Sequence, residues 1–219
     1  MIEQLEHEFT HRDFAAKTNE KSFEVEEQAK LDPGQELEIQ QQILRGGGKH
    51  TGDEYIDDVF FGPSSVTSSS DALEKRALGE QIIRIRKIIR QSTSGKTETV
   101  TEFTTKVMQG DKEKAWNEHT FIRMGDYRDE AEGILMSLSG LEPYYRVTKT
   151  RSEWELGDVK LTFDAVPEYG TMMEAEIAAD KNGIDSAKQK IRETLKGLGV
   201  RPDQKPKKSI MSELQTPKS

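Results

Sequence analysis

The sequence predicts an α+β fold, a closed eight-stranded antiparallel β-barrel with helices packed outside. Three observations lead there. About eight stretches alternate apolar and polar residues with a period of two, as strands with two unlike faces do. Signals of Gly, Pro, Asp and Ser separate them. Amphipathic helices are inserted between strands and need an apolar sheet surface to cover. Many alternating strands with no unpaired apolar face favour closure over a two-sheet sandwich.

The first strand runs from Phe23 to Leu31. Phe23, Val25, Ala29 and Leu31 point one way, and Glu24, Glu26, Gln28 and Lys30 the other. A helix follows, with Asp32 expected as N-cap, Pro33 at the first helical position, and Leu37, Ile39, Ile43 and Leu44 as its apolar face. Gly46 to Gly48 ends it. Asp53 to Phe61 reads as the second strand, and Gly62 to Asp71, rich in Ser, Gly and Pro, as a mobile loop. Gln81 to Arg90, Thr99 to Val107 and Trp116 to Ile122 read as strands, with a turn at Ser92 to Lys96.

Asp126 is expected to open a helix that buries Ala131, Ile134, Leu135 and Leu138 and ends at Gly140. Three more strands follow, Tyr144 to Trp154, Val159 to Asp164 and Met172 to Ile177, with a hairpin turn at Gly157–Asp158. Ile184 to Leu198 is an amphipathic helix with Ile191, Leu195 and Leu198 inward. The stretch from Arg201 is polar and partly disordered, although Ile210, Met211 and Leu214 could dock as a short helix. Residues 1–21 are expected to be a polar extension, 22–200 the barrel domain and 201–219 a polar tail.

Hydrophobic and charged residues each make up 33% of the 219-residue chain, and the net charge is −8. That sign argues against nonspecific nucleic-acid binding, which needs a broad basic surface. It leaves room for a local basic pocket. There is no cysteine, hence no disulfide and no thiolate chemistry. No apolar run reaches the roughly 18 residues of a membrane span, and Met1 to Ser22 lacks the apolar centre of a signal peptide. The expectation is a soluble cytoplasmic protein, monomer or homodimer, with no nucleic-acid or membrane partner.

Charged residues recur at i, i+2 spacing on the strands. The acidic ones are Glu24 and Glu26, Asp164, and Glu174 and Glu176; the basic ones are Arg84 and Arg86, Lys106, and Lys149 and Arg151. A solvated outer face with cross-strand ion pairs would account for any one pair. Their joint occurrence favours a polar lumen, because the helices need the apolar face outside. Clustered carboxylates suit a hard divalent cation such as Mg²⁺ or Mn²⁺. Arg and Lys suit the free oxygens of a polyphosphate. The chain has no GxxxxGK[ST] loop, so side chains would have to hold the phosphates.

Taken in order, these residues resemble the CYTH superfamily of triphosphate tunnel metalloenzymes. The resemblance runs from about Phe23 to Leu198. Glu24-Val25-Glu26 resembles the ExExK strand, and Asp53-Glu54-Tyr55 the acidic–aromatic motif of the second strand. Ile83-Arg84-Ile85-Arg86 is similar to the LRIR strand, Phe103 to Lys106 to the Thr-rich strand ending in lysine, and Lys149-Thr150-Arg151 to the KxR strand. Leu161 to Val166 and Gly170 to Glu176 resemble the LxxDxV…GxxxEIE block in order and spacing, and Lys208 to Leu214 the SYxELL ending. The signature lysine falls on Gln28, or on Lys30 in an alternative register of the same face. The middle RxExE strand keeps only Glu118.

The resemblance implies a triphosphate substrate: tripolyphosphate, thiamine triphosphate or ATP. Glu24, Glu26, Asp164, Glu174 and Glu176 would hold Mg²⁺ or Mn²⁺, and Arg84, Arg86, Lys106, Lys149 and Arg151 the phosphates. Glu24, Glu26, Glu118 and Lys30 would serve catalysis. Hydrolysis is the first expectation. Class IV adenylate cyclase chemistry and non-catalytic nucleotide or polyphosphate binding are the alternatives.

His7, His11, His50 and His119 show no ligand spacing and read as surface residues, and no serine sits in a nucleophile-elbow motif. Trp116 and Trp154 stand at strand positions, where an aromatic packs or, as an open alternative, stacks on a ligand ring.

Overall fold

A computed structural model describes residues 23–63, 82–91, 95–108 and 115–206. Eight antiparallel strands form a closed barrel: β1 (Phe23–Lys30), β2 (Lys49–Pro63), β3 (Ile82–Gln91), β4 (Thr97–Met108), β5 (Ala115–Met124), β6 (Leu141–Leu156), β7 (Val159–Val166) and β8 (Gly170–Ala179). Around the barrel the order is β1-β5-β4-β3-β2-β6-β7-β8. The β1–β5 closure pairs Glu24 with Trp116 and Val25 with Ala115. Among the described residues three helices lie outside: α1 (Gln35–Arg45), α2 (Arg128–Ser139) and α3 (Ile184–Gly197). Among the described residues no helix is long and apolar enough to cross a membrane.

The largest apolar cluster sits between the barrel wall and two helices. Val25, Ala29, Leu161, Phe163, Met173, Ala175 and Ile177 from β1, β7 and β8 meet Ile39 and Ile43 of α1 and Ile191 and Leu195 of α3. A second cluster places Ala131 and Leu135 of α2 against Val59, Phe61 and Ile85. An ion-pair knot fastens α2 to the wall: Asp57 accepts from Arg128 at 2.5 Å and from Arg146 at 2.6 and 2.9 Å. These contacts assign the apolar faces of the strands to the outside, so alternation turns the intervening residues into the lumen.

Several boundaries differ from the sequence reading. α1 begins at Gln35 behind Gly34, not at Pro33, and Asp32 is no N-cap. Its backbone carbonyl accepts from the Gln35 N–H, and its own N–H donates to Gln35 Oε1. Only Ile39 and Ile43 are buried; Leu37 and Leu44 face solvent, since α1 touches the barrel along a narrow stripe. α2 starts at Arg128, and Ile134 is exposed rather than buried. Trp154 is buried in the main cluster and donates to Ser152, so it packs rather than stacks on a ligand. The stretch after Arg201 opens with a 3-10 turn, Pro202–Gln204, whose Gln204 donates to the Lys30 carbonyl at 3.2 Å. The polar extension, most of the expected 62–71 loop, the centre of the 92–96 turn, the side chains of Trp116 and Leu138, and the docking of Ile210, Met211 and Leu214 lie outside the described residues.

Two glycines answer to geometry. Gly157 turns the β6–β7 hairpin at φ 65°, a left-handed conformation that costs glycine little. At Gly48 a Cβ would lie 2.6 Å from the Glu155 carbonyl oxygen, so only a bare backbone passes between α1 and β6.

Ile191 is fully buried and Leu37 is 62% exposed. Ile191→Ala is therefore expected to lower unfolding stability by about 2–5 kcal/mol in urea titrations. Leu37→Ala should stay within about 0.5 kcal/mol. Similar losses in both would refute this assignment of the helix faces.

Candidate functional site

The lumen is lined by charged residues in two groups. The acidic group stands on the adjacent strands β1 and β8. Glu26 is the register partner of Glu176, and Gln28 that of Glu174. Gln28 donates from Nε2 to Glu174 Oε2 at 2.9 Å. Burial, and next the charge of Glu24, push the Glu176 carboxyl up to about 7.

The basic group stands on β6 and β3. Arg151 grips Asp164 through Nε and Nη2 at 2.7 and 2.8 Å, and Lys149 reaches the same carboxylate at 2.5 Å. Burial alone would raise the Asp164 carboxyl, but the Arg151 hydrogen bond and the Lys149 charge hold it at about 2. Burial, and next the neighbouring Arg151 charge, bring the Lys149 ammonium down to about 8. On β3, Arg86 forms a two-toothed bond to Asp58 at 2.6 and 2.8 Å, and both residues are buried. Burial opposes the Asp58 charge, yet Arg86 and Arg84 keep its carboxyl well below the usual carboxylate range. Arg84 donates to Thr104, whose hydroxyl meets that of Thr120 at 3.1 Å.

Most of the residues singled out in the sequence share this lumen. Glu24, Glu26, Glu174 and Glu176 lie on one side, and Arg84, Arg86, Lys149 and Arg151 line the basic wall. Lys106 and Glu118 are register partners on β4 and β5. Two residues sit elsewhere than expected. Asp164 joins the cations rather than the other carboxylates, with both oxygens taken by Arg151 and Lys149. The Lys30 ammonium lies 3.7 Å from the centre of the Tyr169 ring.

Sequence reasoning missed Asp58. Its signal was available, because Glu54, Ile56 and Asp58 alternate on one face and Asp58 falls opposite Arg86 in the β2–β3 register. Glu153 and Lys160, paired at 3.1 Å on the lumen side of β6 and β7, were missed as well.

The acidic side fits a hard divalent cation by its chemistry. Its donors are carboxylate oxygens, and burial and the Glu24 charge together outweigh Lys160 and Arg151 and push the Glu176 carboxyl up to about 7. Thr162, the register partner of Glu174, has a buried hydroxyl with no hydrogen-bond partner among the described residues. Three or more Asp, Glu or His side chains do not converge into a finished metal cage among the described residues. A cavity of about 190 Å³ lies between Glu26–Gln28 of β1 and Lys188 and Arg192 of α3, and another of about 430 Å³ runs from Glu36 and Tyr55 to Glu54, Arg90 and Arg151.

Known proteins share this architecture. The chain aligns with PH1012 from Pyrococcus horikoshii OT3 at 19% identity and a TM-score of 0.63, covering 86% of this chain and 98% of that one. A candidate adenylate cyclase from Vibrio parahaemolyticus matches at 16% identity and a TM-score of 0.64, over 88% and 97% of the two chains. HpAC1 from Hippeastrum, described as a candidate adenylyl cyclase with a dominant triphosphatase activity, matches at 12% identity and a TM-score of 0.57, over 90% and 97%. These likenesses speak for the fold. Comparison with curated proteins gave no match. The model of the CYTH domain matches residues 22–210, nearly the whole chain. This protein belongs to the CYTH domain family.

Proposed function

We propose that this chain binds a triphosphate-containing small molecule in its lumen and hydrolyses it with the help of Mg²⁺ or Mn²⁺. The observation that carries this reading is the division of one lumen into a carboxylate side on β1 and β8 and a cationic side on β6 and β3. A polyphosphate bridges such a pair of surfaces. Its free oxygens would suit the guanidinium and ammonium groups, and the carboxylates would hold a divalent cation that offsets the remaining charge.

Glu24, Glu26, Glu174 and Glu176 are the residues assigned to hold that cation. When bound, it supplies Lewis acidity and a more acidic water. Arg84, Arg86, Lys106, Lys149 and Arg151 are assigned to the phosphate oxygens, where they offset the charge that grows as the bridging oxygen departs. Asp58 and Asp164 position Arg86, Lys149 and Arg151 before the ligand arrives. Glu118 is assigned to orient the attacking water. Lys30, whose ammonium lies over the Tyr169 ring, stays assigned to a supporting role in catalysis. The triphosphatase activity described for HpAC1 supports hydrolysis over cyclisation.

Glu174→Gln is expected to reduce orthophosphate release from tripolyphosphate, thiamine triphosphate and ATP by about a hundredfold or more, with the unfolding midpoint unchanged. Unreduced turnover would sink the metal assignment. Cyclic AMP and pyrophosphate from ATP would replace this reading with the cyclase one.

The proton on Glu176 sets the pH behaviour. A carboxyl that keeps its proton up to about 7 must lose it before a cation binds. Affinity for Mn²⁺, followed by electron paramagnetic resonance, should therefore rise with pH up to about 7 and then level off. Glu176→Gln should flatten that rise. A wild-type affinity independent of pH between about 6 and 8, on the order of one unit either side of that pKa, would contradict it.

A further inference from the structure

One lumen residue outside the charged pattern, Thr162, carries an unmet polar group. On β7, Leu161 and Phe163 are buried in the cluster beneath the helices, so Lys160, Thr162 and Asp164 face the lumen. Thr162 is 2% exposed, and its hydroxyl is buried with no hydrogen-bond partner among the described residues. It stands at an unspecified position of the LxxDxV block, so the family pattern gives it no role. A hydroxyl kept from water without a partner costs stability, which marks it as a group that meets its partner in another state of the protein.

The ladder narrows what that partner is. Thr162 faces Glu153 of β6 on one side and Glu174 of β8 on the other. Its neighbours along β7 are committed: Lys160 pairs with Glu153 at 3.1 Å, and both oxygens of Asp164 are taken by Arg151 and Lys149. Glu153 is thus already held by a cation of the protein. Glu174 is the neighbour on which a divalent cation would draw. Its Oε2 accepts from Gln28 of β1 at 2.9 Å, and a carboxylate has lone pairs for further donors. Gln28 and Thr162 are the two lateral neighbours of Glu174 around the barrel, and both are neutral. A neutral donor orients a carboxylate without cancelling its charge, whereas a lysine in either place would do both. The branched Cβ of threonine restricts χ1, so the strand sets where the hydroxyl lies.

We propose that Thr162 is a positioning residue for the cation site. When a divalent cation engages Glu174, the Thr162 hydroxyl donates to that carboxylate from the β7 side while Gln28 holds it from the β1 side. The cost of the unmet hydroxyl in the metal-free protein is recovered on binding. The proposal rests on the carboxylates of β1 and β8 being the cation site.

The test measures Mn²⁺ affinity by electron paramagnetic resonance without triphosphate, together with the urea midpoint of the metal-free protein. It compares wild type, Thr162→Val, Thr162→Ser and Glu174→Gln. Thr162→Val keeps the shape and removes the hydroxyl, and should weaken Mn²⁺ binding about tenfold. Its metal-free midpoint should not fall, because a buried hydroxyl without a partner does not hold the fold. Thr162→Ser restores the hydroxyl and should recover most of the lost affinity. Mn²⁺ binding of wild-type strength in Thr162→Val, alongside a loss in Glu174→Gln, would overturn the proposal and leave the cation site standing. Wild-type strength in Glu174→Gln would remove Glu174 from the cation site, and the proposal with it. A lower metal-free midpoint in Thr162→Val, with no recovery of affinity in Thr162→Ser, would mark the residue as structural and also overturn it. Calorimetric titration of the metal-free proteins with tripolyphosphate covers the other use of the hydroxyl. A weaker anion affinity in Thr162→Val with Mn²⁺ affinity intact would reject the proposal and make Thr162 a phosphate contact.

Discussion

The helices decide which way the barrel faces. α1 and α3 bury Ile39, Ile43, Ile191 and Leu195 against the apolar residues of β1, β7 and β8. Each such side chain contributes about 1.5–3 kcal/mol on burial. Alternation then leaves the residues between them nowhere to go but the lumen. A one-residue slip of β1 or β8 would drive glutamates under the helices and empty the lumen of charge. Register, core and site are thus one constraint. Glu27 marks how strict it is: it falls on the helix side and is tolerated there with Arg192 at 2.9 Å and Lys205 at 3.1 Å.

A charged lumen is a poor source of stability. Taking an ion out of water costs several kcal/mol, and its partner repays this only with good geometry. The geometry here is good. Asp58 and Asp164 hold Arg86, Lys149 and Arg151, while Glu102 and Glu174 act on Arg86 and Arg151 from further off. The crowding of cations shows in Lys149, whose ammonium is brought down to about 8 by burial and by Arg151. An anion entering the lumen relieves that crowding while Asp58 and Asp164 keep the donors aimed. Stability is left to the outer clusters, and the lumen is free to be optimised for binding.

Much of this was legible in the sequence because it is written in a period of two. The lumen faces of β1, β3, β6 and β8 follow from alternation alone, and so does the hairpin at Gly157. Alternation does not say which charges meet. Asp164 was assigned to the metal because it is an acidic residue of the alternating face within the block that resembles the family's. It meets Arg151 across the β6–β7 ladder, a contact that depends on which strands are neighbours. Asp57 and Asp58 are adjacent in sequence yet serve opposite sides of the wall, one anchoring α2 and the other Arg86. Helix faces were read too broadly for a related reason. A helix against a curved barrel makes a narrower contact than one in a layered core, which exposes Leu37, Leu44 and Ile134.

The same logic gives Gln28 a physical meaning. The family signature it resembles places a lysine there, and an ammonium beside Glu174 would cancel one negative charge of the acidic side. The amide keeps the hydrogen bond to Glu174, at 2.9 Å, and withholds the positive charge. Glu174 stays oriented without a cation on β1 to offset it. Lys30, one lumen step further on, has its ammonium over the Tyr169 ring. The carboxylates on β1 and β8 therefore face one another with less internal compensation than a lysine would give. Burial and the Glu24 charge push the Glu176 carboxyl up to about 7, and a carboxylate surface of this kind suits a divalent cation. The substitution thus shifts the charge balance of the acidic side towards metal binding.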